Sequence, residues 1–476
     1  MPVASGAVFP SLVVRPSVRP VRRGPPFLLM TLPPWSYRAL SWLGVLLLGA
    51  GLILVLLDRG ALAGLVATAG FASLALAFQS SLHLRSYAYT MGIFAAVAVA
   101  LTFPDLFRRV GDFDLQRLIV PLLQVIMFGM GAQLSLRDFA RVVAQPKGLG
   151  IGVVCQFSIM PVIGFTLAKS FGFPPEIGAG LILIGCVPSG LASNVMAFLA
   201  RANLALSVSL TLAATVLSPL LTPALMKLLA GQFIPINFWS MMLSITNMVI
   251  LPVVAGLAFN AIAYGREGRR RVLLQMAGSA VIILAKNALF HATASAGIEA
   301  TLRSAISDLG WFLVLPVVAG WLVHRATGGS RTIVDRATAA VSMLGIGVII
   351  TIITAAGRDN LLKIGALLVL ACLLHNLLGY VIGYSLARLL GLNQTDGRTV
   401  ALEVGLQNGG LASGIALELG KVATVGLAPA VFGPLMNITG SSLATRWRGR
   451  PVTDGSAPRL AEEPLEAPAL RSTPSS

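Results

Sequence analysis

The chain reads as an all-α polytopic membrane protein, and three features carry that reading. Hydrophobic residues fill 56% of its 476 positions and charged residues only 11%, against about a quarter charged in a soluble domain. Mean hydropathy is +0.84. The apolar residues are gathered into blocks as long as the roughly 20 residues that a helix needs to cross a bilayer. The formal charge of +17 does not point to nucleic acid. Arg266, Arg269, Arg270 and Arg271, like Arg446, Arg448 and Arg450, sit in short clusters between apolar blocks, as basic loops beside spans do. No basic stripe interleaved with aromatics accompanies them.

Residues 1–40 contain Arg15, Arg19, Arg22, Arg23 and Arg38, and the first acidic residue is Asp58. This segment reads as a basic cytoplasmic tail, with an Arg-rich, acid-poor organelle transit segment as the alternative. Residues 41–80 hold two leading blocks, 41–57 and 61–79, parted by Asp58-Arg59-Gly60. Further blocks follow at 87–106, 118–135, 149–170, 177–200, 203–228 and 237–263. The stretch 264–331 carries two weaker ones, 275–295 and 309–325, and then come 336–356, 362–390, 399–420 and 424–445. About twelve to fourteen spans result, depending on the two weak blocks. Lys286, Asn287 and His291 in the first weak block are costly in lipid unless they face protein or water. The stretch is therefore either two further spans or an amphipathic pair lying on the cytoplasmic surface. Residues 447–476, rich in Pro, Ala, Ser and Glu, read as a disordered tail.

In this count the loops with Arg137, Arg141 and Lys147, with Arg266 to Arg271 and with Arg446 to Arg450 share a side with the N-terminal arginines. Both termini are then cytoplasmic. Arg108, Arg109 and Arg117 fall on the other side, accompanied by Asp105, Asp112 and Asp114. The expectation is a multi-pass protein of the cell membrane, or of an organelle envelope if the first segment is a transit peptide.

Two blocks are interrupted. One reads Gly185-Cys186-Val187-Pro188-Ser189-Gly190-Leu191-Ala192-Ser193-Asn194. Proline removes a backbone donor and glycine loosens the helix, which makes this either a simple kink or a break lining a cavity. The other reads Glu403-Val404-Gly405-Leu406-Gln407-Asn408-Gly409-Gly410. A carboxylate near the bilayer centre costs about 2.5–3.5 kcal/mol on insertion scales. Glu403 and Gln407, four apart, share a face if the helix continues through them, and Asn408-Gly409-Gly410 offers the break. Paired interruptions in two halves of a chain point to a midplane binding site.

Ser207 and Thr211 add an i, i+4 pair of hydroxyls that either line that site or bond back to their own helix. Gln156 sits mid-span ahead of Met160-Pro161. One carboxylate, amide oxygens, hydroxyls and loosened carbonyls form a hard-oxygen set that suits an alkali cation and not a transition metal. Cys155, Cys186 and Cys372, and the scattered His83, His291, His324 and His375, supply neither a disulfide framework nor a zinc motif. No nucleophile with partners suggests a membrane enzyme, and no repeated filter loop suggests a channel. A carrier is the reading, with a transport-inactive membrane sensor on the same fold as the alternative.

Met127-Phe128-Gly129-Met130-Gly131, Gln156 through Met160-Pro161, Ser193-Asn194, Leu217-Ser218-Pro219-Leu220-Leu221-Thr222-Pro223 and Glu403 through Asn408 together resemble the bile acid:sodium symporter family, over about 87–262 and 332–446. The resemblance implies two inverted five-helix repeats that form a panel and a core domain, with broken helices crossing at about 177–200 and 399–420. Residues 87–263 would hold the first repeat and the start of the second, 264–331 an insert, and 332–446 the remainder.

By matching position, one sodium site would comprise Ser193, Asn194, Ser207, Thr211 and Glu403. A second would comprise Gln156, Glu403, Val404, Leu406 and Gln407, with Val404 and Leu406 offering carbonyls. Gly190, Leu191, Asn408 and Asn437 would face the substrate. The implied activity is alternating-access symport of sodium with a small organic anion, whether bile-acid-like, pantoate-like or an oxo acid. Sodium is the coupling ion, no cofactor is implied, and no oligomeric state carries over.

The chain departs from the family in three places. Pro188-Ser189-Gly190-Leu191 stands where relatives often have Pro-Gly-Gly-Thr, so Leu191 offers no hydroxyl and the substrate does not carry over. The two leading blocks and the insert lie outside the family core. Leu315-Pro316-Val317-Val318-Ala319-Gly320 repeats Leu251-Pro252-Val253-Val254-Ala255-Gly256, leaving two candidates for the family's sixth helix.

Overall fold

A backbone that crosses hydrocarbon has to satisfy its own hydrogen bonds, and an unpaired chain does this as a helix. The computed structural model describes residues 34–81, 84–135, 145–264, 269–294, 297–450 and 452. The basic tail before residue 34, His83, the stretch with Arg137 and Arg141, Arg266, and the tail from 453 lie outside these. Among the described residues ten helices are long and apolar enough to span a membrane, and Tyr87–Thr102 and Pro175–Cys186 are shorter apolar helices. The chain is a multi-pass, all-α membrane protein.

Each apolar block is occupied by helix. The leading pair is α1 (Pro34–Leu56) and α2 (Gly60–Phe78), followed by α3 (Arg85–Thr102) and α4 (Ile119–Gln133). After α5 (Pro146–Ser170) comes a broken helix, α6 (Pro175–Cys186) and α7 (Leu191–Leu199), and then α8 (Leu204–Ala230) and α9 (Phe238–Ala263). The insert forms α10 (Arg269–Ala294) and α11 (Ile298–Thr327). Next are α12 (Arg331–Ala356), α13 (Arg358–Leu389), a second broken helix, α14 (Gln394–Gly405) and α15 (Gly409–Glu418), and finally α16 (Leu427–Arg448). The order of three helices, a broken helix and a closing helix therefore occurs twice, in α3–α8 and in α9 with α12–α16. The insert falls between the first two members of the second set.

Two groups pack against each other. In one, α4 lies on α9 and α12, and α3 on α12. Small residues bring α4 and α9 together: a Cβ on Gly131 would stand 2.1 Å from the Val253 carbonyl oxygen, and one on Gly256 would stand 2.2 Å from that of Phe128. Any larger residue at either position would force the helices apart. The other group holds α5–α8 and α13–α16. There α6 is buried from Ile177 to Cys186, and α14 from Gly397 to Gly405. Helices enclosed on all sides belong to the interior, so α6 and α14 run through the middle of the protein, whereas α7 exposes Val195 and Phe198.

Packing separates the two Leu-Pro-Val-Val-Ala-Gly copies. α9 touches α4, α8 and α15, whereas the main neighbours of α11 are α9 and α10. The copy at 251–256 thus holds the position next to the broken helices. Both copies are preceded by a π turn, Thr246–Ile250 and Gly310–Val314. Pro252 and Pro316 cannot donate to the carbonyl four residues back, and the helix widens just ahead of each.

In the insert, Lys286 and Asn287 of α10 meet Asp308 of α11: both side-chain nitrogens lie 2.8 Å from its Oδ2. The Lys286 and Asp308 side chains are 11% and 12% exposed. His291 Nδ1 stands 3.3 Å from the Thr301 hydroxyl, so the three polar groups of α10 find partners on α11. His324 Nδ1 lies 2.9 Å from the Ala263 carbonyl and ties α11 to the end of α9. By contrast α1 packs on α2 and α2 on α3, with most of their length outside the core.

Candidate functional site

The site is assembled where the two broken helices cross. α6 stops at Cys186 and Val187 turns extended (φ −81, ψ 157). α14 stops at Gly405, and Leu406 is extended likewise (φ −107, ψ 97). The two extended stretches pair antiparallel through Ser189 and Gln407. Gly190 N–H donates to the Leu406 carbonyl at 3.2 Å, and Asn408 N–H to the Pro188 carbonyl at 2.9 Å. Each break supplies partners that the other lacks, which is how non-helical backbone survives at membrane depth. The approach at Gly190 is tight, because a Cβ would stand 3.2 Å from the Gln407 carbonyl oxygen.

Glu403, on the last turn of α14, is 2% exposed. Its Oε1 accepts from the Ser207 hydroxyl at 2.5 Å. Its Oε2 accepts from Thr211 at 2.9 Å and from Ser189 at 2.5 Å. Ser207 and Thr211 of α8 also reach Asn194 Oδ1, at 2.9 and 3.4 Å. Ser193 Oγ donates to the Gly190 carbonyl at 2.7 Å and stands 3.3 Å from the Thr211 hydroxyl. The hydroxyls of Ser207 and Thr211 are thus turned to the carboxylate and not back onto their own helix. All five residues expected at the first ion site meet in one cluster. Among the described residues no Lys, Arg or His forms an ion pair with Glu403. A buried carboxylate without a counter-charge is costly, and a small cation is what this oxygen set can accept.

A second cluster lies beside it. Gln156 Nε2 donates to the Val187 carbonyl at 3.1 Å and to Gln407 Oε1 at 2.9 Å. Gln407 Nε2 donates to the Val404 carbonyl at 2.5 Å. Gln156 Oε1 is buried with no hydrogen-bond partner, and an acceptor left so is a ready cation ligand. The residue types fit an alkali ion here too. The Leu406 carbonyl is already engaged by Gly190, and no hydrogen bond joins Glu403 to Gln156 or Gln407. Gln407 departs from expectation: α14 ends at Gly405, so Gln407 lies on the extended crossing and not one turn along the helix face of Glu403. The break likewise begins at Leu406, and Gly409-Gly410 open α15.

Of the substrate-facing candidates, Gly190 and Leu191 start α7 and Asn408 caps α15, its Oδ1 accepting from Leu411 N–H at 3.0 Å. Asn408 Nδ2 points to Met127 Sδ on α4, 3.9 Å away, across the boundary between the two helix groups. Asn437 on α16 is half-buried, and no hydrogen bond joins it to the others.

Sequence reasoning missed several supports. Ser189 is one. Others lie on α13, where Asn376 Nδ2 donates to the Gly405 carbonyl at 2.7 Å and its Oδ1 accepts from Thr439 at 2.5 Å. His375 Nε2 lies 2.9 Å from the Met160 carbonyl. The signal was Cys372, His375, Asn376, Gly379 and Tyr380, spaced three and four apart in an apolar helix. The outer ends of the half-helices are clasped as well. Glu176, in the first turn of α6, pairs with Lys421 and accepts from Thr424 at 2.6 Å, both beyond α15. Asp396, in the first turn of α14, accepts from Asn203 at 2.7 Å, just beyond α7. Each acid also stands at a helix N-terminus, where negative charge is favoured.

A family model described as the Sodium Bile acid symporter family matches residues 120–285. An uncharacterised sodium-dependent transporter of Bacillus subtilis (strain 168) is 33% identical over 361 residues, covering 75% of this chain and 90% of the relative. The chain belongs to the sodium bile acid symporter family. Two chloroplastic relatives each carry the name probable sodium/metabolite cotransporter. The one from Arabidopsis thaliana is 30% identical over 326 residues, covering 68% of this chain and 65% of the relative. The one from Oryza sativa subsp. japonica is 29% identical over 374 residues, covering 78% and 74%. The sodium bile acid symporter family is one of transporters, and the membrane-enzyme reading falls with that assignment. The family match runs from α4 to the middle of α10.

Proposed function

We propose that the chain is a sodium-coupled symporter of a small organic anion, working by alternating access. One observation carries this reading: a buried Glu403, without a cationic side chain beside it, ringed by hydroxyls at the crossing of two broken helices. Sodium, as a co-transported substrate, would be held by Ser193, Asn194, Ser207, Thr211 and Glu403. A second ion would be held by Gln156, Val404, Leu406 and Gln407, with Glu403 completing both sites. Occupying the first site neutralises Glu403. The N-terminal ends of α7 and α15 then present free backbone N–H groups and a positive dipole end to an anion. Gly190, Leu191 and Asn408 face it, with Asn437 a more distant contact.

In this reading α3, α4, α9 and α12 form the panel and α5–α8 with α13–α16 the core, as two inverted repeats. Residues 41–80 and 264–331 are additions on the panel side, and both termini are cytoplasmic. The membrane is the cell membrane, or an organelle envelope if the N-terminal segment is a transit peptide. If two sodium ions accompany one monoanion, one positive charge enters per cycle, worth about 2.3 kcal/mol per 100 mV, or about 50-fold accumulation.

The test is uptake into proteoliposomes of a labelled panel containing a bile-acid-like steroid, pantoate, pyruvate and other oxo acids, with sodium or choline outside. Sodium-dependent accumulation of one of them is expected. Binding without accumulation would favour a sensor, and neither would refute the reading.

A further inference from the structure

We infer that Ser189 is an additional ligand of the cation held at Glu403, and the residue that couples that cation to the crossing strand. The inference rests on the sodium-coupled reading above. Ser189 is 2% exposed, and its hydroxyl has one partner in the structure, Glu403 Oε2 at 2.5 Å. Ser207 and Thr211 differ, because each also has Asn194 Oδ1 within reach. A hydroxyl that donates its one proton to a carboxylate keeps its lone pairs. Those of Ser189 lie beside the charge that attracts a cation, on the strand side of the carboxylate, while Ser207 and Thr211 approach from α8.

The backbone position makes the residue more than a sixth oxygen. Ser189 pairs with Gln407 across the crossing, and the next two residues, Gly190 and Leu191, open α7. Among the residues bonded to Glu403, Ser189 alone belongs to the extended crossing. A cation that draws its oxygen inward pulls directly on the segment that faces the anion, whereas a shift at Ser207 or Thr211 moves a continuous helix.

The experiment is calorimetric titration of sodium chloride, against choline chloride, into the purified full-length protein and its Ser189→Ala, Ser189→Thr and Glu403→Gln variants. Melting temperatures in choline read folding separately. Loss of one hydroxyl ligand should weaken sodium binding about tenfold in Ser189→Ala, while Ser189→Thr stays within about threefold of the parent because it keeps the oxygen. The proposal is overturned if Ser189→Ala binds sodium as tightly as the parent, or if Ser189→Thr loses as much as Ser189→Ala. Glu403→Gln separates the two levels. If it abolishes sodium binding while Ser189→Ala leaves it unchanged, only the role of Ser189 falls. If Glu403→Gln titrates like the parent, the ion site itself is wrong and Ser189 falls with it.

Discussion

Replacing Glu403 with glutamine changes a carboxylate for an amide of nearly the same shape and removes one buried negative charge. A unit charge about 4 Å from a cation, at an effective dielectric constant of about 20, contributes about 4 kcal/mol. That corresponds to about 10³-fold in affinity for each ion that Glu403 serves. Folding should suffer much less. Ser207 and Thr211 keep Asn194 Oδ1 as an acceptor, and the glutamine carbonyl still accepts one hydroxyl. The loss of one or two hydrogen bonds, about 1–3 kcal/mol, is offset by no longer burying an unpaired charge. The variant is therefore expected to melt near the parent in choline, to show no further stabilisation by sodium, and to lose sodium-driven uptake of whichever acid the parent accumulates. Parental half-saturation by sodium in a folded Glu403→Gln protein would refute the assignment of both ion sites to this carboxylate.

The two clusters should also be separable. Ser207→Ala with Thr211→Ala should weaken one ion, and Gln156→Ala or Gln407→Ala the other, each flattening a steep sodium dependence of uptake; an unchanged curve for the double hydroxyl variant would remove Ser207 and Thr211 as ligands. In the insert, Lys286→Met or Asp308→Asn alone should destabilise the protein by about 3–5 kcal/mol by stranding a buried charge, whereas Lys286→Met with Asp308→Leu should cost far less; a double-variant loss equal to the sum of the single losses, read by thermal unfolding, would show that the pair is not coupled. Deleting residues 1–80 should leave sodium-dependent uptake largely intact, since among the described residues α1 packs mainly on α2, and α2 on α1 and α3; loss of transport by a correctly inserted truncation would make the leading helices part of the working core.

The broken helices were legible because each break is written in residues that a lipid-facing helix avoids. Pro188 and Gly190 mark one, and a buried acid followed by Asn408-Gly409-Gly410 marks the other. The cluster around Glu403 was legible from residue type and, for its membership, from family resemblance. What stayed hidden depended on where a break begins and on long-range packing. The i, i+4 argument for Gln407 ran the helix through Gly405, where α14 in fact ends. Nothing local shows that the Ser189 side chain turns to a carboxylate 214 residues away. The link from Thr439 to Asn376 spans 63 residues and is equally silent. Asp308 passed unnoticed as the partner of Lys286 because it sits in a weakly apolar stretch, 22 residues on. The duplicated Leu-Pro-Val-Val-Ala-Gly could not be resolved from sequence, since both copies are the same six residues and only their neighbours differ.

On the reading that α10 and α11 are two further spans, the Lys286–Asp308 pair bears on how the protein is made. As α10 leaves the ribosome, Lys286 has no ionic counterpart until α11 has been synthesised through Asp308. A lysine near the middle of a single inserting helix opposes partitioning from the translocon into lipid by about 2.5–3.5 kcal/mol. The hairpin therefore favours waiting in the translocon and entering the bilayer as a closed unit, its ion pair already formed between the two helices. Its release into lipid is then timed by the second helix, and a chain cut between the two would leave α10 stranded at the exit.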